Sequence, residues 1–285
     1  MFNRQKTNSQ KQITKHLIVT FNSNALNNIV REQSRRIDVN FFFQQEGRLS
    51  QPETTKTSNL ITIKLTLEEV CQYHGLLSRG LVRPRSIDTI KQLLTEIQEQ
   101  QLVKGQISFS ICPIESIEYG KANLGKGNTL IAPLVASRLE KASHMLVAVV
   151  TLGDIATTIR NLFKTGRRLD AVILEELATF CLIKLSSELE KLGAQEAERM
   201  DLSISGSLNP GDHDGFALST QELILKMANA DSIGVVLTST QMMSPQHSLS
   251  VVYGLGQLMP RWTQSENCSN CDSRNKCPHV LALEA

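Results

Sequence analysis

The chain has 285 residues, 41% of them apolar and 5% aromatic, with a net charge of +2. That length suits a sizeable core filled mainly by Leu, Ile, Val and Met. The near-balance of basic and acidic residues argues against a nucleic-acid binder driven by phosphate contacts, and no run approaches the ~20 apolar residues of a membrane span.

Residues 1–58 are rich in Gln, Asn, Ser, Lys and Arg, with apolar islands only at His16-Leu17-Ile18-Val19 and Phe41-Phe42-Phe43. This composition predicts a weakly ordered polar extension. Residues 1–15 lack the apolar heart of a signal peptide, so a cytoplasmic location is expected. There the six cysteines would be thiols or metal ligands rather than disulfides.

Regular periodicity starts at Asn59. Ile61 and Ile63 alternate with polar residues as in a short strand, and Thr66-Leu67-Glu68-Glu69 is a capping box that opens a helix. A second helix is expected from Ser86, with Ile87, Ile90, Leu94 and Ile97 as its stripe. Residues 107–111 alternate as a strand. Pro133 suits the first turn of a helix reaching about Lys141. Residues 145–152 are almost wholly apolar and predict a buried strand.

Gly153-Asp154 should start a helix with Ile155, Ile159, Leu162 and Phe163 turned inward. The longest helix is expected over residues 170–192, with Cys181 on its apolar face and Gly193 as its stop. Residues 202–207 read as a strand ending at the turn Asn209-Pro210-Gly211-Asp212. Ser219-Thr220-Gln221-Glu222 is a second capping box, and residues 233–237 and 248–253 read as strands. His213 and His247 read as surface histidines. Helices and strands mix without a steady βαβ rhythm, which predicts an α+β domain over residues 59–258.

Three segments in order resemble the activation domain of cobalamin-dependent methionine synthase. The first is Ala148-Val149-Val150-Thr151-Leu152-Gly153 with the two helices after it. The second is Asn209-Pro210-Gly211 and the helix containing Gln221. The third, and most specific, is Leu237-Thr238-Ser239 followed by Met242-Met243-Ser244-Pro245-Gln246-His247-Ser248-Leu249-Ser250.

The resemblance implies a mixed, largely antiparallel sheet with flanking helices and a shallow groove for S-adenosylmethionine. It implies a module that reactivates a corrinoid methyltransferase, or a methionine synthase core, in trans, with an electron from a redox protein. Cobalamin would sit only on that partner, since the chain has no Asp-x-His-x-x-Gly string. The ligand contacts it implies are Glu175, Glu176, Ser207, Pro210, Gly211, Asp212 and Tyr253. Two positions depart from the family's Arg-x-x-Pro-Gly-Tyr pattern: Ser207 stands in place of the arginine and Asp212 in place of the tyrosine. Losing one charged hydrogen bond would cost ~1.5–3 kcal/mol of binding.

Residues 259–285 form a cysteine-rich tail. Cys268, Cys271 and Cys277, in a C-x2-C-x5-C-P run, have the spacing of metal ligands, for zinc or for an iron–sulfur cluster. A cluster would suit a redox protein feeding electrons to a corrinoid. A ligand-free scaffold on the same fold is the third expectation.

Overall fold

The computed structural model describes residues 54–212, 215–262 and 266. In chain order the elements are β1 (Thr54–Ile61), α1 (Leu67–Gln72), α2 (His74–Ser78), α3 (Pro84–Glu99), β2 (Gly105–Pro113), β3 (Ser116–Glu118), β4 (Lys121–Asn123) and β5 (Thr129–Ile131). Then come α4 (Pro133–Arg138), β6 (His144–Thr151), α5 (Ile155–Lys164), α6 (Arg168–Arg199), β7 (Ser203–Ile204), α7 (Gln221–Met227), β8 (Val236–Leu237), β9 (Met243–Ser244) and β10 (Ser248–Gly256). The architecture is α+β. Among the described residues no helix is long and apolar enough to cross a membrane.

The main sheet has the order β1-β2-β6-β10-β7, and every pairing in it is antiparallel. β6 lies at its centre, covered on both faces, which is why its sequence is nearly continuous in apolar residues rather than alternating. The two-residue period still sorts its side chains. Leu146, Ala148 and Val150 enter one core with α3, α5 and α6, while Met145, Val147 and Val149 enter a second core with α4 and α7. β2 follows the same rule with a polar twist. Ile107, Phe109 and Ile111 face the first core, and Ser108 and Ser110 face the second. Their hydroxyls donate to the Ala228 and Met227 carbonyls at 2.5 and 2.7 Å, satisfying acceptors at the end of α7.

Local signals set several element starts. The capping box at Thr66 forms as expected, with Glu69 N donating to Thr66 Oγ1 and Thr66 N donating to Glu69 Oε2. Pro84 and Pro133 each occupy the first turn of a helix. Asp154 caps α5 by accepting from Thr157 N.

Other expectations are corrected by packing. α6 does not stop at Gly193 but runs through it to Arg199. A Cβ at Gly193 would stand 2.8 Å from Ile204 Cδ1 and 3.1 Å from Leu146 Cδ1, so this glycine permits close helix–sheet approach inside the helix. Phe163 is 46% exposed, because Ile155, Ile159 and Leu162 already complete the inward stripe. α4 ends at Arg138, short of Lys141.

The second capping box does not form. A 3-10 turn at Leu218–Thr220 precedes α7, and Thr220 Oγ1 donates back to the Ala217 carbonyl instead. Residues 230–233 form another 3-10 turn, leaving only Val236–Leu237 as strand. The 202–207 strand shortens to Ser203–Ile204. Pairing is interrupted at Ser205, whose Oγ takes the place of a backbone acceptor for Gly254 N at 2.9 Å, and resumes as a single bridge between Leu208 and Val252. One extra residue lies on this side between the two pairings, which makes the interruption a bulge.

Candidate functional site

The turn after the bulge carries most of the expected contacts. Leu208 exchanges two backbone hydrogen bonds with Val252, at 3.0 and 2.9 Å, which ties the turn's entry to the middle of β10. Gly211 N donates to the Phe216 carbonyl at 2.8 Å, closing the loop. Gly211 has φ +87°, a left-handed conformation that glycine adopts without strain, and its backbone is exposed. Pro210 is buried beneath it. Asn209 Nδ2 donates to Asp212 Oδ2 at 2.7 Å, orienting both side chains. Among the described residues, three buried amide oxygens have no hydrogen-bond partner: Asn209 Oδ1 in the turn, Gln221 Oε1 at the start of α7, and Gln241 Oε1 in the loop between β8 and β9. Buried acceptors of this kind suit an incoming N–H donor.

Ser207 stands at the entry to the turn. Its carbonyl accepts from the Trp262 indole Nε1 at 3.0 Å. The guanidinium of Arg138 lies over that indole, 5.0 Å from the ring centroid.

Glu175 and Glu176 are neighbours on α6 but serve different surroundings, as successive helix residues point about 100° apart. Glu175 Oε1 lies 3.1 Å from His247 Nε2. His247 is 6% exposed, which corrects its reading as a surface histidine, and its buried Nδ1 has no partner among the described residues. Glu176 is buried and accepts from Arg79 Nε at 2.6 Å. Beside it the Tyr73 ring stacks on Phe180 with centroids 4.6 Å apart. Burial first, and the Glu176 charge second, push the Tyr73 phenol up to about 12, so it stays a donor. Both Glu176 and Tyr73 crowd Gly75, where any side chain would collide with them.

Tyr253 is placed differently from the expectation of a ligand shelf. It is 1% exposed, and with Val251 and Leu255 it faces α6, while Val252 faces the core that holds Leu208 and Phe216. Burial, with the nearby Glu190 charge second, pushes its phenol far up, against a hydrogen bond with Ser186. The ring is a core side chain anchored to the helix.

The structure therefore brings Ser207, Pro210, Gly211 and Asp212 together, with Asn209 added. Glu175 and Glu176 are held by His247 and Arg79. Arg138, Trp262 and His247 were not selected from the sequence. The scarcity of tryptophan, one in the chain, pointed to Trp262, and His247 lay within the third resembling segment; nothing local pointed to Arg138. Cys268, Cys271, Cys277 and His213 lie outside the described residues. Among the described residues there is no group of three or more His, Cys, Asp or Glu side chains suited to a metal ion.

No family model matches the chain, and no curated protein matches it. Among solved structures, the crystal structure of the MetH reactivation domain bound to AdoHcy is similar. Its TM-score is 0.54 at 12% sequence identity, covering 86% of this chain and 93% of that chain. At that identity the likeness is one of fold.

Proposed function

We propose that this protein is a reactivation module that binds S-adenosylmethionine at the 207–212 turn and presents it in trans to a corrinoid methyltransferase. The observation that carries this reading is a fold shared with an AdoHcy-bound reactivation domain over nearly the whole of that domain. The residues present fit such a ligand. The exposed left-handed Gly211 lets a ligand approach the backbone closely, and Asn209 Oδ1 and Gln221 Oε1 are acceptors in need of N–H donors.

S-adenosylmethionine supplies an electrophilic methyl group, and the acceptor belongs to the partner. The chain's own task is to hold the adenosine and amino-acid ends while leaving the sulfonium side open. Asp212, steered by Asn209, adds negative charge that suits the ligand's ammonium. Glu175 and Glu176 act as positioning groups: each carboxylate already has a cationic or imidazole partner, and together they brace α6 against α2 and the start of β10.

Calorimetry with S-adenosylmethionine and AdoHcy on anaerobically purified protein tests the reading. Saturable binding of both ligands is expected, and weaker binding in an Asn209→Leu variant. Absence of binding by the wild type would overturn it. A Ser207→Arg variant should bind more tightly by adding a charged donor at the entry to the turn.

The spacing of Cys268, Cys271 and Cys277 supports a second, compatible role. We propose that the tail holds an iron–sulfur cluster or zinc, with a cluster serving electron delivery to the corrinoid partner. Metal analysis and visible absorbance of the same preparation separate the two. Protein carrying neither iron nor zinc would refute the metal site.

A further inference from the structure

Residues 206–212 include no cation, and Asp212 is their one charged side chain. A ligand carboxylate brought to this turn by its own segment would meet only negative charge. The structure stations a guanidinium beside the segment's other end. Trp262 lies so tightly on Gly206 that any side chain there would run into the indole, and its Nε1–H is anchored on the Ser207 carbonyl at 3.0 Å. Arg138 stacks on the same ring, 5.0 Å from its centroid.

The helix that delivers Arg138 is itself fastened along this segment. Leu134 N, in its first turn, donates to the Gly215 carbonyl at 3.2 Å, and Val135 and Leu139 are buried in the core that holds Leu208 and Phe216. Arg138 is half-buried and has no carboxylate partner among the described residues. A guanidinium stacked on an aromatic face has its π surface occupied, but its N–H donors point outward in its plane. Its rotamers are restricted before any ligand arrives, so less freedom is lost when a planar, bidentate anion docks.

We propose that Arg138, held by Trp262, is the carboxylate-binding residue of the site at the 207–212 turn. The ligand class is an adenosyl thioether or sulfonium bearing an amino-acid end. Its carboxylate meets Arg138. This inference rests on the reading that the turn takes S-adenosylmethionine.

The test compares AdoHcy with 5′-methylthioadenosine, which keeps the nucleoside and sulfur but lacks the amino-acid end. Both are titrated into the full chain by calorimetry and by the emission of Trp262, the chain's single tryptophan. Wild type, Arg138→Gln and Arg138→Lys are compared, each with its thermal midpoint recorded. The expected result is that Arg138→Gln weakens AdoHcy about ten- to a hundredfold, with Arg138→Lys between it and the wild type. Methylthioadenosine should bind all three alike, and AdoHcy should shift Trp262 emission only where residue 138 is cationic.

Equal AdoHcy binding by wild type and Arg138→Gln would overturn the proposal, as would parallel weakening of both ligands. Wild-type protein that binds methylthioadenosine and AdoHcy with the same affinity would refute the carboxylate contact while sparing the nucleoside site. Wild-type protein that binds neither would refute the ligand reading itself, and the proposal with it.

Discussion

One face of the central sheet is covered by a single helix of 32 residues, α6, together with α3 and α5. The other is covered by a six-residue helix, a seven-residue helix and two 3-10 turns. The long helix satisfies its own backbone and offers one continuous apolar surface, through Leu174, Leu177, Cys181, Leu185 and Leu189. The patchwork face must end and restart its chain repeatedly. It carries left-handed glycines at Gly211, Gly215 and Gly234, as the helical face does at Gly80, Gly153 and Gly166, and it holds the unpaired amide oxygens of Asn209 and Gln221. A face built of many chain ends exposes backbone that a ligand can use, whereas a face built of one helix mostly stabilises.

If that division is right, substitutions on the two faces should separate stability from binding. The largest loss is expected for Leu177→Ala, in the fully buried stripe of α6: about 3–4 kcal/mol by urea unfolding, with AdoHcy affinity little changed in the folded protein. Gly193→Val comes next. Its new side chain must displace Ile204 and Leu146, so about 2 kcal/mol of stability should be lost. A neutral outcome would mean that α6 can move away from the sheet and that its close approach is not required.

Gly211→Ala sharpens the contrast from the other side. Forcing a Cβ into φ +87°, with Leu218 Cδ1 3.3 Å away, should cost about 1 kcal/mol of stability. Its effect on AdoHcy affinity, read by calorimetry, should exceed that of Leu177→Ala. The reverse order would remove the functional distinction between the faces.

The smallest effect concerns the margin of the helical face. Lys184, the leading cause, and then Thr66 hold the Glu69 carboxyl at about 2, below its ordinary 4.5. A depressed carboxyl contributes stability that is present above pH 4.5 and is lost as pH falls toward 2. Lys184→Gln should therefore lower the thermal midpoint slightly above pH 4.5 and flatten its fall between those values, the two proteins converging toward pH 2. Unaltered acid behaviour would show that the Lys184–Glu69 contact, 2.5 Å long, has no energetic coupling.

Much of the helical face was legible because its signals are local. Thr66 through Glu69 spell a capping box, Gly153-Asp154 marks the start of α5, and residues 145–152 announce a strand buried on both sides. The patchwork face was legible as the helix start at Pro133 and the turn at residues 209–212. Its capping box at Ser219 failed because a 3-10 turn claimed Thr220, and its strand at residues 233–237 was half consumed by another.

By itself the amino-acid sequence determined the α+β class, the central strand, the helix starts at Thr66, Pro133 and Asp154, and the turn, since each depends on periodicity or on residues a few positions apart. The tertiary structure alone decided that α6 passes through Gly193, because the sheet needs that close approach, and that Tyr253 faces the helix rather than the turn. It alone also brought Arg138 and Trp262 together beside Ser207 and paired His247 with Glu175. Those contacts join residues far apart in the chain, and no local spacing encodes them.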